Sequence, residues 1–338
     1  MNPRLPGALV VSLDFELLWG LRDRSDAEAR FGRRLRGTRR AVPRILELFR
    51  EFDVAATWAT VGFLFAQSKE EIEETSPDLK PHYVNSSLDP YLEEPGRNEE
   101  EDPLRFAASL IESVGATPRQ EIATHTFSHY YCSEPGQTLE TFRADLHAAR
   151  SLAERRGYAL RSIVFPRNQV DEEYLDALPD FGITCFRGNP PSISWDFSDA
   201  SSGRRPWRRL ARLADLYAGG SPGTVPWDSI LETNGLSNVR ASCFLAPYRP
   251  VLRGLEGLRL KRLTGRVREA SRTGSLIHLW WHPHNFGCHL EENLAFLRSV
   301  LEVVADCRKR DGMLSLSMAE VDGIVRKEFK EPVGGWTR

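Results

Sequence analysis

Eight short apolar runs recur along the chain with helix-like stretches between them, and this alternation limits the fold more than any other feature. The runs are "ALVVSLDFE", "VAATWAT", "EIATHTFSH", "RSIVFPRN", "GITCFRG", "CFLAPYRP", "GSLIHLWWH" and "MLSLSMAE". Among the stretches between them, "RAVPRILELFREF", "TLETFRADLHAARSLAERRGY", "EEYLDALPDF" and "NLAFLRSVLEVVADCRKRDG" carry apolar residues at helical spacing. Gly157 and Gly312 stand where glycines that close a helix would stand. Strand–helix alternation of this kind means a parallel sheet covered by helices. Eight strand candidates extend it to a closed or nearly closed (β/α) barrel.

Three stretches interrupt the rhythm. Residues 20–40 are crowded with arginine, residues 67–104 are acidic and proline-rich, and residues 188–240 hold "RRPWRRLARL" among many Gly, Pro and Ser. The strand pattern resumes after each, so they read as loop insertions in a single domain spanning 1–338. Composition narrows the function. A net charge of −2 offers no electrostatic case for nucleic acid. Five scattered cysteines without a C-x-x-C pair argue against a disulfide framework and against a thiolate zinc cluster. No stretch approaches the ~20 apolar residues of a spanning helix. Asp14 and Glu16 break the first apolar run, so it does not read as a secretory leader, and the expected location is the cytoplasm.

The chemistry gathers at the ends of the runs. The first run ends in Asp14 and Glu16, two apart, so that both carboxylates can face one side. The third ends in His125 and His129, four apart, a spacing that a turn can bring onto one face. In a parallel barrel those ends converge where active sites lie. Two imidazoles and one carboxylate make a three-ligand catalytic zinc site with a position left for water. The second carboxylate is then free to take that water's proton. A helix N-terminus or a surface salt bridge is the plainer reading of the two acids, but neither explains why both follow a buried strand. "VFPRNQ" adds Arg167 and Asn168, and a guanidinium near a catalytic carboxylate would keep it ionised. "LIHLWWHPHNF" adds His278, His282 and His284, of one parity. One of them could protonate a leaving amine, whereas His278, inside the strand, reads as a satisfied core side chain.

Together these residues resemble the polysaccharide deacetylases with NodB homology, carbohydrate esterase family 4. "SLDFE" is similar to that family's first acidic motif in its D-x-D variant, with Glu in the second acidic place. His125, Thr126, Phe127, Ser128 and His129 match the H-[ST]-x-x-H motif fully. "AATWATVGFL" resembles the second strand and "HLWWHPH" approximates the last motif; in "FPRN" proline precedes arginine, reversing the third, and "VPWD" is the nearest counterpart to the fourth. The resemblance implies a distorted barrel of seven or eight parallel strands and a metal-dependent amide hydrolase. Carried over by position, Asp14 becomes the base, and Glu16, His125 and His129 the ligands of zinc or another divalent transition metal. Arg167 would orient Asp14, and His282 would be the acid.

The implied substrate is a carbohydrate bearing an acylated amine. Trp19, Trp58, Trp195, Trp207, Trp227, Trp280 and Trp281 exceed what a core needs, and some could stack on sugar faces. Trp19, Trp281, His284 and Asn168 are the expected substrate contacts. The cluster at 204–213 could meet a membrane surface or the phosphate of a lipid- or nucleotide-linked glycan. Two other readings stand beside this one: a deformylase or other C–N hydrolase, and a catalytically weak glycan-binding protein of the same fold.

Overall fold

β1 (Ala8–Phe15) is buried at all of its positions, which requires strands on both edges and covering layers on both faces. The sequence "ALVVSLDF" supplies this with an apolar run that does not alternate. In a computed structural model describing residues 5–24, 26–190, 223–232 and 234–329, eight further short strands assemble around it. They are β2 (Ala56–Thr60), β3 (Gln120–Thr124), β4 (Ser162–Ile163), β5 (Cys185–Phe186), β6 (Ser237–Asn238), β7 (Cys243–Phe244), β8 (Leu276–Trp281) and β9 (Leu314–Leu316). Their order is β6-β5-β4-β3-β2-β1-β8-β7, and β9 pairs with the start of β1. All of these ladders are parallel.

The two ends of that order, β6 and β7, are neighbours in the chain. Val239 N–H still donates to Phe186 on the β5 side (2.9 Å), and Ser242 N–H already donates to His278 on β8 (3.0 Å). The chain therefore crosses from one sheet edge to the other, and the sheet curls into a distorted (β/α) barrel with helices between its strands. Each of the eight expected runs contains a strand. β6, two residues within "NGLSNV", was not expected, because so short a segment has no periodicity to read.

One expectation is overturned. The arginine-rich stretch is not a loop from end to end: the helix Ala27–Glu51 runs through its second half. Ala27, Leu35, Thr38, Val42, Ile45 and Phe49 make one buried stripe, and the arginines occupy the remaining surface. The helix Glu256–Thr273 also went unread, because charged residues dominate its sequence. Within residues 67–104, the helix Lys69–Thr75 is followed by 3-10 turns at Ser86–Leu88 and Pro90–Leu92. Arg105 ties the end of this segment to Glu93 (2.6 Å) and Asp102 (3.1 Å), and Arg39 pairs with Glu99. Among the described residues no helix is long and apolar enough to cross a membrane, and all five cysteines are free. The segment at 204–213, with Trp195 and Trp207, lies outside the described residues.

The helix Ala27–Glu51 lies directly on the turn Pro283–Phe286, which follows β8 and His282 and carries His284. Two glycines permit the approach. A Cβ on Gly37 would stand 2.0 Å from the carbonyl oxygen of Gly287, and one on Gly287 would stand 1.9 Å from that of Arg34. Backbone on both sides leaves nothing flexible to yield. Gly37→Ala and Gly287→Ala should each destabilise the protein by roughly 1–3 kcal/mol in urea unfolding, as overpacking does. Gly265→Ala, in an exposed helix interior with open space around it, should instead stabilise by about 0.5–1 kcal/mol.

Candidate active site

Asp14 and Glu16 lie where β1 ends, only 3% and 6% exposed. A buried carboxylate needs a partner of opposite charge or a full set of hydrogen bonds. Asp14 has Arg187, 1% exposed at the end of β5, which binds it with both arms: Nη1 to Oδ1 at 2.6 Å and Nη2 to Oδ2 at 2.8 Å. Arg187 also donates to Ser12 Oγ (3.0 Å) and Asn168 Oδ1 (2.8 Å), and its guanidinium lies 4.5 Å over Trp280. Burial opposes the charge on Asp14, but Arg187, with smaller help from His282 and His125, outweighs it and holds the carboxyl below its ordinary range.

The expected partner, Arg167, is elsewhere. It pairs with Asp23 (2.8 Å) and Glu134 (2.6 Å) and stacks 3.7 Å over Tyr131. Its left-handed backbone, φ 56°, turns the chain after β4 so that the next residue, Asn168, reaches Arg187 instead.

His125 and His129 leave the end of β3 on a tight turn. Thr126 and His129 both adopt positive φ, 63° and 56°, which costs a β-branched residue most. The turn persists because Asp145, projecting from the helix Leu139–Arg155, accepts from the Phe127 N–H (2.6 Å), the Ser128 N–H (3.1 Å) and the Ser128 hydroxyl. Both imidazoles then face Glu16. His129 Nε2 is 3.0 Å and His125 Nε2 3.5 Å from Glu16 Oε2. His282, at the end of β8, brings Nε2 to 3.4 Å from Glu16 Oε1 and 3.9 Å from Asp14 Oδ2. Its side chain is 24% exposed, making it the most accessible imidazole of the group. Burial works against the Glu16 charge, and the surrounding His282, His125 and His129 outweigh it, so Glu16 stays well below the usual carboxylate range. Burial pushes His129 down to about 3, leaving its ring neutral.

Glu16, His125 and His129 offer three ligand atoms within 4.8 Å of one another, a buried group that could hold a metal ion. The donor types suit zinc. His125 Nδ1 donates to the Val164 carbonyl (2.7 Å), leaving the Nε2 lone pair toward the cluster.

Other expected contacts are placed differently. Trp19 and Trp281 are not open to a sugar. Trp19 packs on Phe63 and donates to the Arg105 carbonyl, and Trp281 is fully enclosed beside Phe49 and Phe286. Both follow apolar positions that the barrel and its helices cover. Trp58, Trp227 and Trp280 are buried as well. Asn168 has its amide oxygen committed to Arg187. His284 is buried behind His282, with ring centres 4.9 Å apart, and burial pushes it down to about 3. His278 is a satisfied interior residue, with Nδ1 on the Val239 carbonyl (3.0 Å) and Nε2 on Ser12 Oγ (2.8 Å).

Arg187, Asp145 and Arg22 were missed. Arg187 ends an expected strand, as the other site residues do, and that was its signal. Asp145 interrupts the apolar face that Phe142, Leu146 and Ala149 make on their helix. Arg22, hydrogen-bonded to His129, lies in an arginine crowd and carried no signal.

Two measurements probe this framework. Arg187→Met should raise the pH at which Asp14 ionises, because burial then loses its main opponent; Arg167→Met should leave it unchanged, as read by carboxyl NMR titration. Burial raises Asp145 from 3.8 to about 6. The folded state therefore binds that proton more tightly than the unfolded chain, and stability should fall as pH rises from about 4 to 6. Asp145→Asn should flatten that slope in unfolding titrations, while costing roughly 1–3 kcal/mol for the donors left unpaired.

No family model and no curated protein matches the sequence. Solved structures do share its fold. A candidate polysaccharide deacetylase from Mycobacterium smegmatis is 17% identical, with 97% of this chain and 95% of that one covered at a TM-score of 0.58. Puue allantoinase is 11% identical over 98% and 94%, with a TM-score of 0.53. A GH57-type branching enzyme from the hyperthermophilic archaeon Pyrococcus horikoshii is 12% identical over 96% and 71%, at 0.50. The chain thus has the polysaccharide-deacetylase fold. Proteins named for three different reactions share it, so the fold by itself does not select the chemistry.

Proposed function

We propose that this protein is a hydrolase that removes an N-acyl group, acetyl by preference, from an amino sugar or glycan precursor. The observation that carries the reading is a pair of buried carboxylates in unlike surroundings, Asp14 on a guanidinium and Glu16 among three imidazoles. Acids held so differently suit different tasks. Asp14, kept ionised by Arg187, is the general base: it takes a proton from water as the water oxygen bonds to the acyl carbon. His282 is the general acid and passes its Nε2 proton to the amide nitrogen as the C–N bond breaks. The products are a carboxylate and a free amine. Glu16, His125 and His129 would hold a divalent cation, zinc by preference, and such an ion supplies Lewis-acid polarisation of the acyl oxygen. The sugar part of the reading rests on the H-[ST]-x-x-H resemblance and agrees with the neighbour described as a candidate polysaccharide deacetylase.

A second reading is a hydrolase of a non-sugar C–N bond. One observation favours it: Trp19, Trp58, Trp227, Trp280 and Trp281 are all buried, so no described indole stands open to stack on a sugar. The allantoinase neighbour is in keeping with it. The test is to supply the full chain with N-acetylated and N-formylated amino sugars, and separately with ureides and simple amides, and to measure acetate, formate and ammonia. Acetate from an amino sugar is the expected result, with Asp14→Asn reducing turnover by about 10²–10⁴. Release from ureides alone selects the second reading. Glycan bound without turnover would make the protein a binding module of this fold.

A further inference from the structure

The two histidines of the H-[ST]-x-x-H turn are held in opposite tautomers, and one arginine is the cause. Arg22 is buried. Its guanidinium donates from Nε to the Leu88 carbonyl (2.7 Å), from Nη1 to the Trp19 carbonyl (3.0 Å) and from Nη2 to the His129 carbonyl (2.9 Å). Nη1 also lies 3.0 Å from His129 Nδ1. A guanidinium has no acceptor and does not lose its proton, so Nδ1 must accept. The single N–H of that ring then sits on Nε2, where it donates to Glu16 Oε2 at 3.0 Å. His125 is the reverse: a carbonyl only accepts, so its N–H is on Nδ1, facing Val164, and its Nε2 lone pair faces the cluster.

A ligating histidine needs a lone pair toward the metal and ordinarily donates its other N–H to a carbonyl or carboxylate. His125 meets that requirement and His129 meets its opposite. The fixed charge of Arg22, one hydrogen bond behind the ring, adds repulsion toward any dication. We propose that Arg22 is a positioning residue that holds His129 as a donor to Glu16 and so weakens this site for divalent metal, because a cation must displace that hydrogen bond before His129 can serve as the third ligand. The hydrogen bond between His129 and Glu16 keeps the carboxylate in place without an ion. Arg22, rather than the identity of the three candidate ligands, sets the affinity.

This inference rests on reading Glu16, His125 and His129 as the hydrolytic centre, and its test does not use turnover. Zinc affinity of the full chain is measured by competition with a chromogenic chelator, for the parent, Arg22→Gln and Arg22→Lys. Gln is shorter and leaves room for a water, which can accept from Nδ1–H and free the Nε2 lone pair. Lys keeps both charge and donor. Arg22→Gln should bind zinc ~10–100-fold more tightly than the parent, the range that outer partners of metal ligands command, and Arg22→Lys should stay near the parent. Equal or weaker binding by folded Arg22→Gln would overturn the proposal. Nitrogen NMR of the parent imidazoles tests it without a variant: His129 should show its proton on Nε2 and His125 on Nδ1. A proton on His129 Nδ1 would refute it outright. Loss of acyl hydrolysis with these results intact would count against the proposed reaction alone.

Discussion

Taking Asp14 out of water is the demand around which the interior is arranged. An unpaired carboxylate at that depth would take up a proton rather than stay charged. Arg187 answers it with two parallel hydrogen bonds, and is itself held by Ser12, Asn168 and the face of Trp280. Ser12 in turn meets His278, which is anchored on Val239. Residues from β1, β8 and the ends of β4 and β5 thus meet around one ion pair. Three strands separate β5 from β1 in the sheet, so the contact exists only because the sheet curls. Breaking such a pair from one side leaves a buried charge, a loss of roughly 3–5 kcal/mol.

Among the described residues, most of the left-handed non-glycine backbone lies at the same end of the barrel, Asp53 and Arg119 before β2 and β3 being the exceptions. Leu17, Thr126, His129, Arg167 and Asn168 all take positive φ, and all lie in the segments that follow β1, β3 and β4. Backbone of this kind persists where surrounding structure over-determines it. Asp145 does so for the histidine turn, and Arg22 does so from the other side by grasping both the ring and the carbonyl of His129. The price of that rigidity is borne at the site, where one imidazole is committed before any ligand arrives.

Much of this was legible in the chain. Apolar runs mark eight of the nine strands, and each of Asp14, Glu16, His125, His129 and His282 sits at the end of a run, where a parallel barrel gathers its chemistry. The helix through the arginine-rich stretch was less visible, because its apolar stripe is thin against so many charges. The tryptophans misled for a different reason. An indole at a strand end looks accessible in one dimension, whereas the helix that covers Trp281 through Phe49 comes from a distant part of the chain.

What the sequence determined by itself is what periodicity and spacing can encode: alternation of strand and helix, the parity of Asp14 and Glu16, and the four-residue step between His125 and His129. These are local properties, readable within a few residues. Which arginine meets Asp14, which acid holds the histidine turn, and which ring nitrogen carries the proton were decided by tertiary structure alone. Arg187 and Asp14 are 173 residues apart, and Arg22 and His129 are 107 apart. Nothing near Arg22 distinguishes it from the other arginines, and the strand-end place of Arg187 does not say which acid it meets; direction and distance in the curled sheet do, because a buried charge or lone pair is satisfied only by a group that arrives at hydrogen-bond range.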